Sequence, residues 1–178
     1  MTYVEQWFPE DSQQALADLY RKTEGLEGRV VEIGSWEGRS TVALANACHP
    51  HIVHAVDTWE GSPGEISAEL AVGRDVFGTW KRNIYTETQG NVQAFRMGWR
   101  DFVVHYQATT DDPVRFLFID AEHTYVEVRD TIAAFLPLMA PRAVICGDDQ
   151  HHPPVRDAVL EAFPHAYVVA NLWWWRLP

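Results

Sequence analysis

The sequence has few of the features that mark secreted or membrane proteins. It contains only two cysteines, Cys48 and Cys146, which is too few for a disulfide framework and fits free thiols in a reducing compartment. Its longest apolar stretch, residues 132–140, is interrupted by proline and too short to span a bilayer. The first residues lack the basic and apolar regions of a signal peptide. We therefore expect a cytoplasmic protein with no membrane partner.

Basic residues are also scarce. Lysine and arginine together number 14 against 25 aspartates and glutamates, which gives a formal net charge of -11. Such a surface repels phosphate backbones, so we expect no nucleic-acid partner and a small molecule instead. The 178 residues, 47% of them hydrophobic, match one ordinary domain. We expect residues 1–178 to form it, with a first helix inside residues 1–25.

Short apolar runs alternate with helical patterns along the chain. We predict strands over 29–33, 52–56, 92–96, 114–119 and 143–147, with one or two closing strands within 166–177. We predict further helices over 40–48, 74–85, 101–106, 125–140 and 155–163. This alternation indicates an α/β fold, a doubly wound Rossmann-like sheet that is mostly parallel and covered by helices on both faces. Such sheets bind ligands at the carboxyl ends of their strands.

Acidic residues stand at most of these strand ends. Glu32 lies in the first strand, Asp57 and Asp120 follow the second and fourth, and Asp148 with Asp149 follows the fifth. Carboxylates that gather at one edge of a sheet favour ligands that carry positive charge. The strand ends are therefore the candidate functional residues.

The loop after the first strand, within VVEIGSWEGRST, is a poor phosphate loop. Trp36 stands where a dinucleotide loop has a second glycine, and Glu37 would repel a bound anion. A cationic cofactor without phosphate, such as S-adenosylmethionine, fits better, with Asp57 placed to accept the ribose hydroxyls. A plain turn would explain Gly34 and Gly38 alone, but it would not explain their combination with Glu32 and a correctly spaced Asp57.

Three stretches resemble a known family. They are E-x-G-x-x-x-G at residues 32–38, AVDTW at 55–59, and FIDAEHTYVEVRDTIAAFLPLMAPRAVICGDD at 118–149. Together they are similar to class I S-adenosylmethionine-dependent methyltransferases, and more narrowly to the macrocin-type O-methyltransferases of antibiotic and sugar tailoring. The resemblance runs from about Arg29 to the end, and this chain is short beside macrocin-type enzymes. It implies a seven-stranded sheet whose last strand is antiparallel.

The cofactor residues follow from the loop and the resemblance. The related enzymes place the adenine after the third strand, which implicates Gly98 and Trp99. The full expected set is Glu32, Gly34, Ser35, Gly38, Ser40, Asp57, Thr58, Gly98, Trp99 and Asp120.

Asp120, Asp148 and Asp149 form a second candidate site. If their strands are neighbours, the strand ends lie about 5 Å apart, and three such carboxylates require a counter-cation. An all-oxygen site favours Mg²⁺, with Mn²⁺ and Ca²⁺ as alternatives. The resemblance likewise implies an Asp triad that holds a metal against an acceptor hydroxyl.

His123 completes an Asp-x-x-His motif with Asp120. The macrocin-type pattern assigns a histidine here as the base, so we expect His123 and Asp120 to be catalytic, with His151 or His152 as alternatives. The predicted reaction is metal-assisted O-methylation of a small hydroxylated acceptor, either a sugar or a phenol. Methylation of nitrogen stays open.

Two other classes compete with this reading. One is a catalytically inactive S-adenosylmethionine-binding module, and the other is a nicotinamide-dependent oxidoreductase.

Trp59 and Trp80 are candidates for a lid that stacks on the acceptor. The residues 173–175 fit either the sheet edge or a second subunit, so a homo-oligomer is also open.

Overall fold

The apolar runs form one seven-stranded sheet in the computed structural model, which describes residues 3–178. The strands are β1 (Arg29–Ile33), β2 (Val53–Asp57), β3 (Val92–Arg96), β4 (Val114–Ile119), β5 (Met139–Gly147), β6 (Tyr167–Val169) and β7 (Leu172–Arg176). Their order is β3-β2-β1-β4-β5-β7-β6. Strands β1 to β5 are parallel, and β7 is antiparallel to both neighbours. The predicted fold class is confirmed.

Seven α-helices connect and cover the strands of the described residues. They are α1 (Glu10–Arg21), α2 (Arg39–Cys48), α3 (Ile66–Ala71), α4 (Val76–Glu87), α5 (Trp99–Thr109), α6 (Tyr125–Phe135) and α7 (Pro153–Ala162). The sequence did not predict α3. The predicted helix over 125–140 is too long, because Pro137 lies in a 3-10 turn and β5 already begins at Met139. Within residues 3–178 no helix has the length and apolarity needed to cross a membrane.

Each face of the sheet carries its own apolar layer. Leu16, Leu44 and Cys48 of α1 and α2 pack on Val30 and Phe118, and α4 extends this layer toward β2. On the opposite face, α5, α6 and α7 pack on alternate residues of the same strands, among them Val31, Ile33, Leu117 and Ile145. Both cysteines are buried and free, as expected.

The strand order reverses between β1 and β4, and this position fixes the site. From β1 the chain goes to β2 on one side, whereas β4 lies on the other side, so a crevice opens above the ends of β1 and β4. Ile33 pairs with Ile119, and Ile119 with Gly147, so the residues that follow β1, β4 and β5 emerge side by side.

Candidate cofactor and metal site

A cavity of about 420 Å³ opens at this crevice. Its walls come from the ends of the first five strands, the segment 58–67, Trp7 of the N-terminal arm and Asn171 of the β6–β7 turn. The volume is within the usual range of small-molecule sites. Of the ten predicted cofactor residues, six line it: Gly34, Asp57, Thr58, Gly98, Trp99 and Asp120.

Gly34 is required by a close approach between two strand ends. Its φ is +87°, and a Cβ there would lie 1.8 Å from the carbonyl oxygen of Asp120. Only glycine combines this conformation with this contact. Gly34 therefore lets the loop after β1 and the end of β4 form one continuous wall of the cavity.

Asp57 organises the loop while it lines the cavity. Its Oδ2 accepts hydrogen bonds from the backbone N–H groups of Ser35 (2.7 Å) and Trp36 (2.8 Å), and its Oδ1 accepts from Trp59 (2.6 Å). A carboxylate has about four acceptor positions. Asp57 thus retains capacity for a ligand hydroxyl while it fixes the backbone of the loop.

Glu32 does not reach the cavity. It lies beneath α2, fully buried, where it accepts hydrogen bonds from the hydroxyls of Ser35, Ser40 and Thr41. Side chains alternate along a strand, so Glu32 points to the α2 face while Val31 and Ile33 point to the other. Burial raises its pKa to about 7 against the lowering effect of the hydroxyls. The structure therefore does not bring Glu32 to the cavity lining, where direct cofactor contact was expected.

The other three predicted loop residues also face away from the cavity. The hydroxyls of Ser35 and Ser40 are committed to Glu32. Gly38 is the N-cap of α2 with φ +90°, and a Cβ there would lie 2.9 Å from Trp80. These residues shape the turn, so the structure does not bring them to the cavity lining.

Glu37 is neutralised within the protein. Its buried carboxylate pairs with Arg74 and accepts a hydrogen bond from the backbone N–H of Val4 (2.7 Å). Arg74 also pairs with Glu5 of the N-terminal arm at 2.9 Å. Glu37 therefore does not confront a ligand, and Trp36, which lines the cavity, remains the loop residue that obstructs a pyrophosphate.

Asp120, His123 and Asp149 lie close enough together to hold a metal ion, with one ligand atom of each within 4.8 Å of the others. Nε2 of His123 is 2.7 Å from Oδ2 of Asp149 and 3.9 Å from Oδ1 of Asp120. Its Nδ1 is 2.9 Å from Oε2 of Glu65, which also accepts from the His123 backbone at Oε1 (2.9 Å). A carboxylate only accepts, so Nδ1 carries a hydrogen and Nε2 faces the acids.

The crowding changes the titration of these groups. Burial lowers the pKa of His123, but the nearby carboxylates of Asp120 and Asp149 outweigh it and raise the pKa to about 11. Burial raises the pKa of Asp149, yet His123 draws it below its ordinary value. Burial and Asp149 raise the pKa of Asp120 against the opposite effect of His123. In this arrangement the imidazolium is the counter-charge of the two carboxylates.

Asp148 differs from the predicted triad. Its Oδ1 accepts hydrogen bonds from Nδ2 of Asn171 (2.6 Å) and from the backbone of Asp149 (2.8 Å). Consecutive residues at a strand end point in different directions, and Asp149 adopts a φ of 58°. Burial, with the charge of Asp120, raises the pKa of Asp148 to about 8. Asp148 lines the cavity, but the three residues close enough to share a metal ion are Asp120, His123 and Asp149.

His151 and His152 are the alternatives to His123 as the base, and they differ in their position relative to the cavity. His151 lines the cavity and is largely exposed, with Nδ1 2.6 Å from Oδ1 of Asn171 and Nε2 4.0 Å from Asp149. His152 is the N-cap of α7 and does not line the cavity.

The predicted tryptophan lid does not form. Trp59 and Trp80 are 4% and 3% exposed and pack against each other and Phe77 in the core beneath α4. The segment 58–67 still borders the cavity, but through Gly61, Ser62 and Glu65 rather than through indole rings.

Sequence reasoning missed Glu65, Asn171 and Trp7. Glu65 is the N-cap of the unpredicted α3 and lies 58 positions before His123, so no local motif connects them. Asn171 follows a three-residue strand, and Trp7 belongs to an arm without regular structure. Their roles depend on tertiary contacts that no spacing in the sequence indicates.

Comparison with known proteins agrees with this geometry. A family model described as a methyltransferase domain matches residues 31–150. No curated protein sequence gives a match. Three solved structures illustrate the likeness of the fold. The O-methyltransferase NovP has a TM-score of 0.67 and 19% identity, over 94% of this chain and 79% of NovP.

The other two are equally distant in sequence. The calicheamicin methyltransferase CalS11 has a TM-score of 0.74 and 15% identity, over 95% of this chain and 80% of its own. An O-methyltransferase from Bacillus cereus in complex with SAH has a TM-score of 0.66 and 18% identity, with 96% and 84% covered. The nicotinamide alternative is therefore set aside. Because the family model covers two thirds of the chain and the fold agrees with it, the protein belongs to the class I S-adenosylmethionine-dependent methyltransferases.

Proposed function

We propose that the protein is a metal-assisted O-methyltransferase that moves the methyl group of S-adenosylmethionine to a hydroxyl of a small acceptor, a sugar or a phenol. The observation that carries this proposal is the position of Asp120, His123 and Asp149 in the same cavity as Gly34 and Asp57. A methyl donor and a hydroxyl acceptor must meet within one enclosed space for in-line displacement. We propose further that the whole chain is one domain, since α1 packs in the core of the sheet.

The cofactor would lie across the ends of β1, β2 and β3. Asp57 has a remaining acceptor position for the ribose hydroxyls, and Gly34 and Gly98 leave room for the nucleoside and the methionine portion. Trp99 offers a flat indole face at the same wall. Glu32 acts indirectly, because it ties the loop after β1 to the first turn of α2.

The donor chemistry of the acidic group fits a hard divalent cation. Mg²⁺ is held in proteins by one or two carboxylates and retains waters, while imidazole suits softer metals. Asp120 and Asp149 would therefore hold it, with Asp148 kept nearby by Asn171. When bound, Mg²⁺ supplies Lewis acidity that lowers the pKa of an acceptor hydroxyl.

His123 would take the hydroxyl proton at Nε2. Glu65 holds the hydrogen on Nδ1, so Nε2 is the nitrogen that faces the acids and the cavity. A cation held by Asp120 and Asp149 would compensate their charge, which otherwise raises the pKa of His123. The histidine is then a neutral base within reach of an acceptor at the same carboxylates.

The test has two parts. Calorimetry is expected to show binding of S-adenosylhomocysteine, and its absence would refute the cofactor assignment. Methyl transfer to a sugar diol or a catechol is expected to require Mg²⁺ and to stop with EDTA. Asp149→Asn should abolish the transfer, whereas Asp111→Asn, an exposed change outside the cavity, should not. Cofactor binding without transfer to any hydroxyl would favour the inactive binding module.

A further inference from the structure

The charge of the cavity lining restricts the acceptor. Six carboxylates line the cavity: Asp57, Glu65, Asp120, Glu122, Asp148 and Asp149. Among residues 3–178, no lysine or arginine lines it. The only ionisable side chains that a ligand with phosphate or carboxylate would meet on the described walls are therefore these acids and the two histidines His123 and His151.

The basic residues that adjoin the lining are committed elsewhere. Arg74 is held by Glu5 and Glu37. Arg100 makes two hydrogen bonds of 2.8 Å with Glu127 and lies over the ring of Trp99.

The remaining candidates are also occupied by aromatic contacts. Arg96 lies over Phe77, which does not line the cavity. Both lysines of the chain likewise pack on rings outside it, Lys81 on Phe77 and Lys22 on Trp174. Within the described residues, no lysine or arginine is therefore left at the walls to receive an anionic acceptor, and the charge of His123 is balanced by Asp120 and Asp149.

A bound cofactor and cation reduce this negative charge without removing it. The methyl donor has one net positive charge and the metal two, against five lining carboxylates besides Asp148, whose pKa of about 8 keeps it largely protonated near neutral pH. Glu65 and Glu122 also line the cavity, and neither belongs to the group of Asp120, His123 and Asp149. Their charge therefore remains for the acceptor.

Aromatic groups at the mouth favour a positive ligand as well. Trp7 and Trp36 lie side by side with ring centroids 5.5 Å apart, and both line the cavity with Trp99. Indole faces bind ammonium groups through their negative quadrupole and also stack on flat or sugar rings. The walls thus combine a surface for an apolar ring with an excess of acid.

We propose that the acceptor is a vicinal diol without phosphate or carboxylate, either neutral or bearing an ammonium group. This inference rests on the proposed function, since it concerns the acceptor of that same site. It excludes nucleotide-linked sugars and acyl thioesters of nucleotide carriers, because their phosphates would face like charge. Specificity of this kind arises from repulsion of the wrong ligand as much as from attraction of the right one.

The experiment compares three diols that differ in one charged substituent. Catechol, dopamine and 3,4-dihydroxybenzoate are titrated by calorimetry into protein loaded with S-adenosylhomocysteine and Mg²⁺. We expect dopamine and catechol to bind more tightly than dihydroxybenzoate, by on the order of tenfold at low salt. The difference should shrink as salt rises, because screening weakens the repulsion.

Two variants localise the effect. Glu122→Gln removes one charge from the lining and should narrow the difference between dopamine and dihydroxybenzoate. Glu24→Gln changes the net charge equally but is exposed and outside the cavity, so it should leave the difference unchanged. Equal or tighter binding of dihydroxybenzoate overturns the inference, and so does failure of all three diols to bind. If either outcome occurs while cofactor binding and Mg²⁺-dependent methyl transfer persist, the proposed function stands and only the inference about the acceptor fails.

Discussion

The contact between Glu65 and His123 connects the segment 58–67, which borders the cavity, to the proposed base. Glu65 begins α3 on the segment that borders the cavity, and it accepts hydrogen bonds from both the ring and the backbone of His123. A carboxylate on Nδ1 fixes both the tautomer and the orientation of an imidazole. We therefore propose that Glu65 positions His123 for the proposed reaction.

Replacing Glu65 should impair the reaction more than cofactor binding. For Glu65→Ala we expect kcat to fall by roughly tenfold to a hundredfold, because Nδ1 loses its acceptor and Nε2 is no longer fixed as the base. The affinity for S-adenosylhomocysteine should change little. Steady-state kinetics and calorimetry measure the two effects separately.

The matched control lies on the same helix. Glu69 is exposed in α3 and does not line the cavity, so Glu69→Ala should retain wild-type kcat. Partial recovery of kcat in Glu65→Gln, whose amide oxygen still accepts from Nδ1, would support positioning. Equal kcat in the two alanine variants would refute it.

At the residue scale, the sequence predicts which acids stand at strand ends but not where each one points. The alternation of Val31, Glu32 and Ile33 does indicate that Glu32 turns away from its apolar neighbours, and Ser40 with Thr41 forms the polar site that receives it. The choice between Asp148 and Asp149 has no such signal. It depends on Asn171, which a distant turn brings to the end of β5.

At the element scale, the loop after β1 is held by a pair of charges. Arg74, just before α4, pairs with Glu37, whose side chain is 2% exposed, and connects it to Glu5 of the N-terminal arm. Removal of the cation leaves a buried carboxylate without a partner. The conformation of the cofactor loop thus depends on residues from three separate segments.

Arg74→Gln should lower the free energy of unfolding by roughly 2 kcal/mol, since Arg74 is partly exposed and the loss is smaller than for a fully buried pair. Adding Glu37→Gln should recover much of this loss, because the uncompensated charge disappears. Urea unfolding of the two single variants and the double variant measures the coupling. Arg82→Gln, an exposed change in α4, is the control, and an equal effect of both arginine substitutions would contradict the account.

Strand β2 contains a buried histidine that should make stability depend on pH. His54 packs against Phe95, and within residues 3–178 neither ring nitrogen has a hydrogen-bond partner. Burial, with a smaller effect of Arg29, lowers its pKa from 6.5 to about 4. The unfolded chain therefore binds a proton that the folded protein resists between these values, so stability falls as pH drops from 6.5 toward 4.

His54→Phe should remove this loss, which amounts to about 3 kcal/mol below pH 4. Near pH 7 the variant should be as stable as the wild type or more so, and its advantage should grow at pH 5. Urea unfolding at both pH values tests this. His105→Phe is the control, because His105 also contacts Phe95 but is exposed. A constant difference between His54→Phe and the wild type at the two pH values would refute the prediction.

The sequence predicts elements well where the apolar pattern is strong. The bounds of β1, β3 and β4 are as expected; β1 and β4 are short, mostly buried runs between turn signals, whereas β3 (VQAFR) is a partly polar strand at the edge of the sheet. The helix α3 was missed because glycines and a proline surround it, and because it is short and has no buried residue to give it an apolar pattern. Pro137 explains the early end of α6, and this signal was present in the sequence.

At the scale of the whole molecule, the negative charge is concentrated where the chemistry is proposed. Six of the 25 acidic residues line one cavity at the topological switch point, next to two histidines and three tryptophans. The overall charge and the strand-end acids could be predicted from composition and pattern. The absence of basic residues from the described cavity walls could not, because it depends on the pairing of Arg74, Arg96 and Arg100 in the folded protein.

The central claim is that one cavity receives both the methyl donor and a hard cation. A crystal grown with S-adenosylhomocysteine and Mn²⁺ tests it most directly, because Mn²⁺ replaces Mg²⁺ at oxygen sites and gives an anomalous signal. We predict ribose hydroxyls at Asp57 and an anomalous peak at the carboxylates of Asp120 and Asp149, in the same cavity. An empty acidic group in cofactor-bound crystals, or a cofactor bound outside this cavity, would contradict the claim.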